Sequence, residues 1–448
     1  MLRAQIDFSK KLRDWDGFGI SYHPSEIAQI QENPGVIESL FGHEGLKAAI
    51  LQIFLGPHNQ EYTDSDSNEE KPINLKDYKH QINDTGQLNV CKSALEEVSR
   101  WGGGLKILVT CLSPPGWMTK QKEVSGRDLD SSKRVDYARY MVSYVKYLVE
   151  ECNLPVKYLS IHNQAEIWEL WNDRGFLISN AGNPKIYWPV EQLVDFIKLI
   201  RRLLDLNGLQ HVGLTPGETQ NWGNFYKWGY AEAIYDDPQA LDALSILTSD
   251  STVISKKYTH ACSCNSAGID LLRQKKTDLH AWSTSIRTSH HRVSLLHEIY
   301  NNIYSTKVNA IILDCSVKST SISLSDSQFG NLNFAESNYF YIKPFFMAGQ
   351  PGMGVSHTTC NGSEIEIIAF SSNSTRNPDS FLIINTSELA WEIPIEIRGS
   401  ACGCFQAFRT SETENCLKLN AVSVREGKIV HTIPAVSITV FVGSVGAV

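Results

Sequence analysis

The sequence predicts an α/β protein, a (β/α)8 TIM barrel followed by a C-terminal antiparallel β-sandwich. Between about residues 15 and 350, eight short apolar runs alternate with amphipathic helical stretches. Near-continuous runs of Ile, Val, Leu and aromatics are what parallel strands buried on both faces require. From about Gly354 the pattern changes to short alternating or β-branched runs divided by turn residues, the signature of a sandwich. An open doubly wound sheet is the alternative. It would carry a glycine-rich phosphate fingerprint after an early strand, and Gly17-Phe-Gly19 does not fit that motif.

The barrel strands are expected at Gly17–Tyr22, Lys47–Leu55, Leu105–Cys111, Val156–His162, His211–Thr215, Ser245–Thr248, Leu279–Thr284 and Val308–Leu313. Helices are expected between them. After Asp128 and Asp130, the residues Val135, Ala138, Met141, Val142, Val145, Leu148 and Val149 recur at helical spacing and make one apolar stripe. Leu193, Val194, Ile197, Ile200 and Leu204 repeat the pattern behind Pro189, which suits a first helical turn. Further helices are expected near Asn89–Trp101, Tyr230–Leu241, Gly268–Lys275, Arg292–Tyr304 and Tyr339–Met347. Sandwich strands are expected at Ile365–Phe370, Ser380–Ile384, Glu392–Ile397, Cys404–Phe408, Ala421–Val424 and Ser437–Val442, with Ala4–Phe8 adding one more. Residues 10–352 thus form the barrel domain. Residues 353–448 form the sandwich, joined by a strand from residues 1–9.

A length of 448 residues accommodates a barrel of roughly 250 residues or more plus a companion domain. The formal net charge of −8 argues against a nucleic-acid partner, because binding phosphates needs clustered Lys and Arg. No run of 18 apolar residues predicts a membrane span. The charged start, MLRAQIDFSKKLRDW, is not an intact signal peptide, so a soluble chain that is either cytoplasmic or a secreted mature form is expected. The ten cysteines are scattered; Cys262/Cys264 and Cys402/Cys404 are too closely spaced for a structural zinc motif and read as free thiols. N-x-S/T sequons at Asn83, Asn361, Asn373 and Asn385 matter only in a secreted protein.

In such a barrel, chemistry collects at the C-terminal strand ends. The first two strands lead to Ser21-Tyr22-His23 and to Gly56-Pro57-His58-Asn59-Gln60, and the third to Ser113-Pro-Pro-Gly-Trp117-Met118. The fourth gives His162-Asn163-Gln164-Ala165-Glu166 with Trp168 and Trp171, and the fifth Glu218, Asn221 and Trp222. Asp250, Trp282-Ser-Thr-Ser285 and Asp314 follow at the last three. This mixture suits a sugar: aromatic rings stack on pyranose C–H faces, while amides, imidazoles and acids bind hydroxyls. Cleaving a glycosidic bond normally takes two carboxyl groups. Trp117, Asn163, His162, His58, Trp222 and Trp282 are therefore candidate saccharide contacts, and Glu218 and Glu166 candidate carboxyls. Each has a structural reading as well: Glu218 as a helix cap, Glu166 as a loop brace, His162 as a core histidine, and Asp250 and Asp314 as structural acids. Nothing calls for a cofactor, and His290-His291 has no third ligand at metal spacing.

Three stretches carry a family resemblance. Asp14-Trp-Asp-Gly-Phe-Gly19, Ser113-Pro-Pro-Gly-Trp-Met118 and Tyr158-Leu-Ser-Ile-His-Asn-Gln164 resemble, in order and spacing, elements of clan A glycoside hydrolases of the family 30 type. The resemblance implies a retaining glycosidase with a barrel, a sandwich and a carbohydrate substrate. It also implies a glutamate acid/base where this chain has Gln164, and a strand-seven nucleophile near Ser285, where no carboxylate stands. An amide can neither donate a titrating proton nor act as base. Three readings follow: an acid/base replaced in an otherwise active enzyme, a divergent site using Glu218 and Glu166, or a non-catalytic relative that binds glycans or protein.

Overall fold

The computed structural model describes residues 2–22, 26–62, 68–80, 85–178, 183–251, 264–288, 291–315 and 338–444. His23, Asn83, Cys262 and His290 lie outside the described residues. Eight parallel strands form the barrel: Gly17–Ser21, Ile50–Leu55, Lys106–Cys111, Val156–Ser160, Gly213–Thr215, Ile246–Asp250, His280–Arg287 and Ala310–Asp314. They pair in sequence order from first to fifth, the eighth returns beside the first, and the sixth and seventh complete the sheet. The seam between the fifth and sixth strands is closed by sparse contacts. Ser245 N–H donates to Leu214 O (2.8 Å), Asp250 N–H to Thr219 O (2.9 Å), and the Thr215 and Thr248 hydroxyls meet at 2.7 Å.

All eight strands stand where apolar runs predict them, with ends shifted by up to three residues: the second starts at Ile50 rather than Lys47, and the sixth and seventh run on to Asp250 and Arg287. Helices cover them at Thr85–Arg100, Arg134–Glu150, Val190–Leu206, Ala267–Arg273, Arg292–Tyr304 and Tyr339–Ala348. The helix expected over Tyr230–Leu241 is two, Tyr230–Asp236 and Pro238–Ala243. Pro238 cannot donate a backbone hydrogen bond, and the Asp237 side chain caps the second helix at Ala240 N–H (2.9 Å).

The inside of the barrel is graded along its axis. Near the N-terminal ends, Ile50, Leu108, Tyr158, Ile246, Trp282, Ala310 and Ile312 pack together as an apolar plug. Side chains on one strand face repeat every second residue. The next inward positions are therefore Gln52, Thr110, Ser160, Thr248 and Thr284, all buried. An apolar floor thus carries a polar layer at the C-terminal mouth.

Behind the barrel lies one curled ten-stranded sheet whose strands are mainly antiparallel. The N-terminal strand, Ala4–Asp14, belongs to it, pairing antiparallel with Gly354–Cys360 and parallel with Trp391–Arg398. Gly354–Cys360, rich in Thr, Ser and His, and Lys428–Ile433 are further strands beyond those expected from the sequence. Ile365, Ile367, Phe381 and Ile383 face the sandwich core. Their neighbours Ile368, Phe370, Leu382 and Ile384 turn the other way and join the core shared with the barrel. Trp15, at the barrel entrance, packs on Phe18 and Phe370 with ring centroids 4.9 and 5.3 Å apart. No disulfide links the described cysteines. Asn385 is buried and bonded to the Leu389 and Pro434 carbonyls, both at 2.7 Å, so its sequon is closed to modification in the fold. Among the described residues, no helix is long and apolar enough to cross a membrane.

Candidate active site

The polar layer leads to a cluster of buried titratable groups at the ends of strands four to seven. Glu218 is fully buried just beyond strand five. Its carboxyl accepts hydrogen bonds from Thr110 Oγ1 (2.6 Å), Gln52 Nε2 (3.1 and 3.2 Å), Asn163 Nδ2 (3.2 Å) and Thr284 Oγ1 (3.1 Å). Strand four delivers Asn163 because the two strand ends continue their ladder: Glu218 N–H donates to His162 O (2.9 Å) and Gln164 N–H to Glu218 O (2.5 Å).

Asp250, at the end of strand six, is equally buried. Thr284 Oγ1 approaches its Oδ1 (2.7 Å) as well as Glu218 Oε2 (3.1 Å), and Gln164 Nε2 approaches its Oδ2 (2.5 Å). Burial first, and the Asp250 charge second, push the Glu218 carboxyl up to about 8. Burial raises Asp250 as well. Glu218, raised above neutrality beside a second buried carboxyl, keeps its proton at neutral pH.

Lys185, from the loop after strand four, brings a buried ammonium to this pair. It donates to Gln164 Oε1 (2.8 Å) and Asn163 Oδ1 (3.2 Å). Burial lowers its proton affinity, which the negative field of Asp250, Glu166 and Glu218 partly restores. The Gln164 amide is therefore held at both ends, oxygen on Lys185 and nitrogen on Asp250. Its backbone is left-handed (φ 51°), as is that of Ser285 (φ 56°), where strand seven bulges. A non-glycine residue in this region costs of order 1 kcal/mol or more, and such positions gather at functional sites. These two are the positions at which the family resemblance implies catalytic carboxyls.

The other candidates divide between mouth and frame. Glu166 is buried and braces two loops, accepting from Gln220 N–H (2.6 Å) and Asn224 Nδ2 (3.0 Å); burial raises its carboxyl. His162 packs against Gly217, where a Cβ would fall 2.4 Å from the imidazole, and burial depresses it to about 3, leaving the ring neutral. Trp117 stands at the rim, 41% exposed, stacked over Tyr62 at 6.2 Å with Lys133 Nζ 5.4 Å from its ring. His58 is exposed on the turn after strand two. Trp222 is buried beneath the loop after strand five and donates to Ser283 Oγ (2.8 Å). Trp282 lies at the opposite end of the barrel, in the apolar plug, and donates to Asp16 Oδ2 (2.7 Å). The structure thus gathers Gln164, Glu218 and Asn163, keeps Trp117 on the rim above, and sets Trp282 apart. The reading of Trp282 as a mouth residue fails to separate the start of strand seven from its end.

Five members of the cluster, Lys185, Asp250, Gln52, Thr110 and Thr284, were not among the candidates read from the sequence. Lys185 sits in an irregular stretch with no motif. Asp250 reads there as structural. The signal that could have found Gln52, Thr110 and Thr284 is their place two residues beyond an inward apolar one, Ile50, Leu108 and Trp282. Among the described residues, no group of three or more His, Cys, Asp or Glu side chains could hold a metal ion.

Comparison with known proteins places this architecture. No family model matches the chain. An endo-1,6-β-D-glucanase of Neurospora crassa is 25% identical over 209 residues, 40% of this chain and 42% of that relative, so the match spans less than half of its length. Among solved structures, a family 30 endoxylanase from Clostridium papyrosolvens aligns with a TM-score of 0.73 and 17% identity, covering 99% of this chain and 100% of its own. An endo-β1,6-glucanase aligns at 0.68 and 14% identity, covering 98% and 94%. The chain has the barrel-plus-sandwich fold of the family 30 glycoside hydrolases.

Proposed function

We propose that this chain takes a poly- or oligosaccharide at the C-terminal mouth of its barrel and is built as a glycoside hydrolase. The observation that carries the reading is the pair of left-handed residues, Gln164 and Ser285, on strand ends flanking a buried carboxyl cluster. The likeness to polysaccharide hydrolases over nearly the whole chain supports the same assignment. Trp117 and Asn163 are the saccharide contacts this reading favours, with His58 on the rim as a further one and Trp222 supporting the loop behind them. Under hydrolysis, Glu218 supplies the proton, since it retains one at neutral pH. Gln164 then binds substrate through its amide, and Glu166 holds the two loops in register.

A second reading, saccharide binding without turnover, is favoured by one observation. Positions 164 and 285, where the family resemblance implies carboxyls, hold an amide and a hydroxyl, whereas glycosidic cleavage normally needs two carboxyl groups.

The test is hydrolysis of xylan, β-1,6-glucan and a panel of aryl glycosides by the wild type, Gln164→Glu and Gln164→Glu/Ser285→Glu. Turnover by the wild type that Glu218→Gln abolishes supports the hydrolase. Turnover only in the doubly substituted chain, with glycan binding in all three, supports the binding protein. Neither turnover nor glycan binding in any chain rejects both.

A further inference from the structure

The hydrogen bonds of the candidate site close on themselves. Lys185 Nζ donates to Gln164 Oε1 (2.8 Å) and to Asn163 Oδ1 (3.2 Å). Gln164 Nε2 donates to Asp250 Oδ2 (2.5 Å), and Asn163 Nδ2 to Glu218 Oε2 (3.2 Å). Thr284 Oγ1 completes the ring, 2.7 Å from Asp250 Oδ1 and 3.1 Å from Glu218 Oε2. An ammonium can only donate, so each amide turns its oxygen to Lys185 and its nitrogen to a carboxyl. Every link therefore has its own proton except at Thr284.

That hydroxyl carries a single proton yet lies within hydrogen-bonding reach of two carboxyl oxygens. It can donate to one of them. The other contact is a bond only if that carboxyl is protonated and donates to the hydroxyl oxygen. Charge requires the same count. Lys185, Asn163, Asp250, Glu218 and Thr284 are all buried. With both carboxyls ionised, the ring would hold an uncompensated negative charge away from water; with one proton added it is neutral. The arm through Gln164 is shorter at both links than the arm through Asn163, so the ammonium favours the negative charge on Asp250. Glu218 is left with neutral donors and with the proton.

We propose that Glu218 holds this proton and that Thr284 is the positioning residue through which it passes to Asp250. In the transfer, Thr284 Oγ1 takes the Glu218 proton while its own goes to Asp250 Oδ1. The O–H bonds of Glu218 and Thr284 break, those of Thr284 and Asp250 form, and the hydroxyl is regenerated. The site thereby has an acid that can release a proton and recover it, as acid–base turnover requires. That use rests on the hydrolase reading. The place of the proton does not, and its test needs no substrate.

Infrared spectroscopy of the full chain at neutral pH tests it, because the carbonyl stretch of a protonated carboxyl stands clear of the amide bands. The difference between wild type and Glu218→Gln should show one such band, and any contribution from Glu166 cancels in that difference. Thr284→Val removes the hydroxyl at nearly equal size. Measured against its own Glu218→Gln partner, it should move the band to higher frequency, since donating a hydrogen bond lowers the stretch, and Thr284→Ser should restore it. Asp250→Asn passes the ring's one negative charge to Glu218 and should abolish the band, which keeps the test open if Thr284→Val fails to fold. Absence of the band from the wild type, an unshifted band in folded Thr284→Val, or a band that survives in Asp250→Asn overturns the proposal. A band that behaves as expected in a chain that turns over no glycan supports the proton's assignment and counts against the hydrolase reading alone.

Discussion

The Glu218 carboxyl is surrounded by donors yet keeps its proton into the neutral range, because burial and the adjoining Asp250 outweigh the hydrogen bonds that favour ionisation. Stability must follow. The unfolded chain releases this proton near the ordinary carboxyl value of about 4.3, whereas the folded chain holds it to about 8. The contribution is therefore complete below the unfolded value and is lost as pH rises through that window. Melting temperatures taken from pH 5 to pH 8.5 should fall in the wild type, and in Glu218→Gln this fall should be reduced. Gly217 offers a second test at this scale. It has φ 98° and its missing Cβ makes room for the His162 ring. Gly217→Ala should cost about 2 to 4 kcal/mol from strain and overpacking together, read as a shift in the denaturation midpoint at unchanged slope. Glu218 was legible in the sequence because a carboxylate just past a predicted strand end falls at a barrel mouth. Lys185 was not, because its approach to Gln164 depends on an irregular loop of no recognisable pattern.

Strands carried most of what could be read in advance, because burial on both faces writes a continuous apolar run. The same alternation decides what faces inward, so Gln52, Thr110 and Thr284 follow from Ile50, Leu108 and Trp282 once the register is known. Trp282 itself shows the limit, since membership of a strand does not say which end of the barrel a residue occupies. The hairpin of Gln60–Tyr62 and Tyr78–His80 has strands of three residues, too short for any period to register. That hairpin holds Tyr62 beneath Trp117 and presents the indole at the rim. Trp117→Ala should weaken saccharide binding roughly three- to tenfold through lost stacking and leave the melting temperature within a few degrees, because this side chain is part-exposed.

The sandwich is part of the barrel's core rather than an appendage. Phe370, Leu382 and Ile384 from the sandwich and Trp15, Phe18 and Phe345 from the barrel share one apolar interior. The change of pattern near Gly354 revealed the second domain, but not that its strands are buried on both sides. A chain ending at residue 352 would expose that face, and should be recovered aggregated rather than as a folded monomer. Heating the full chain should give one cooperative transition. Phe370→Ala should lower it as a single step, costing about 3 to 5 kcal/mol, and a calorimetric trace splitting into two peaks would show that the domains melt apart.

The N-terminal strand has a consequence in time. Its partners, Gly354–Cys360 and Trp391–Arg398, lie some 350 to 390 residues further along. At about 5 to 20 residues per second, a ribosome takes of order 20 to 80 s to bring them out. For that interval an amphipathic strand stands without a neighbour, and barrel strand one likewise awaits the eighth. Native closure of both pairings therefore waits until residues 310–398 have been made, however early the first strands emerge.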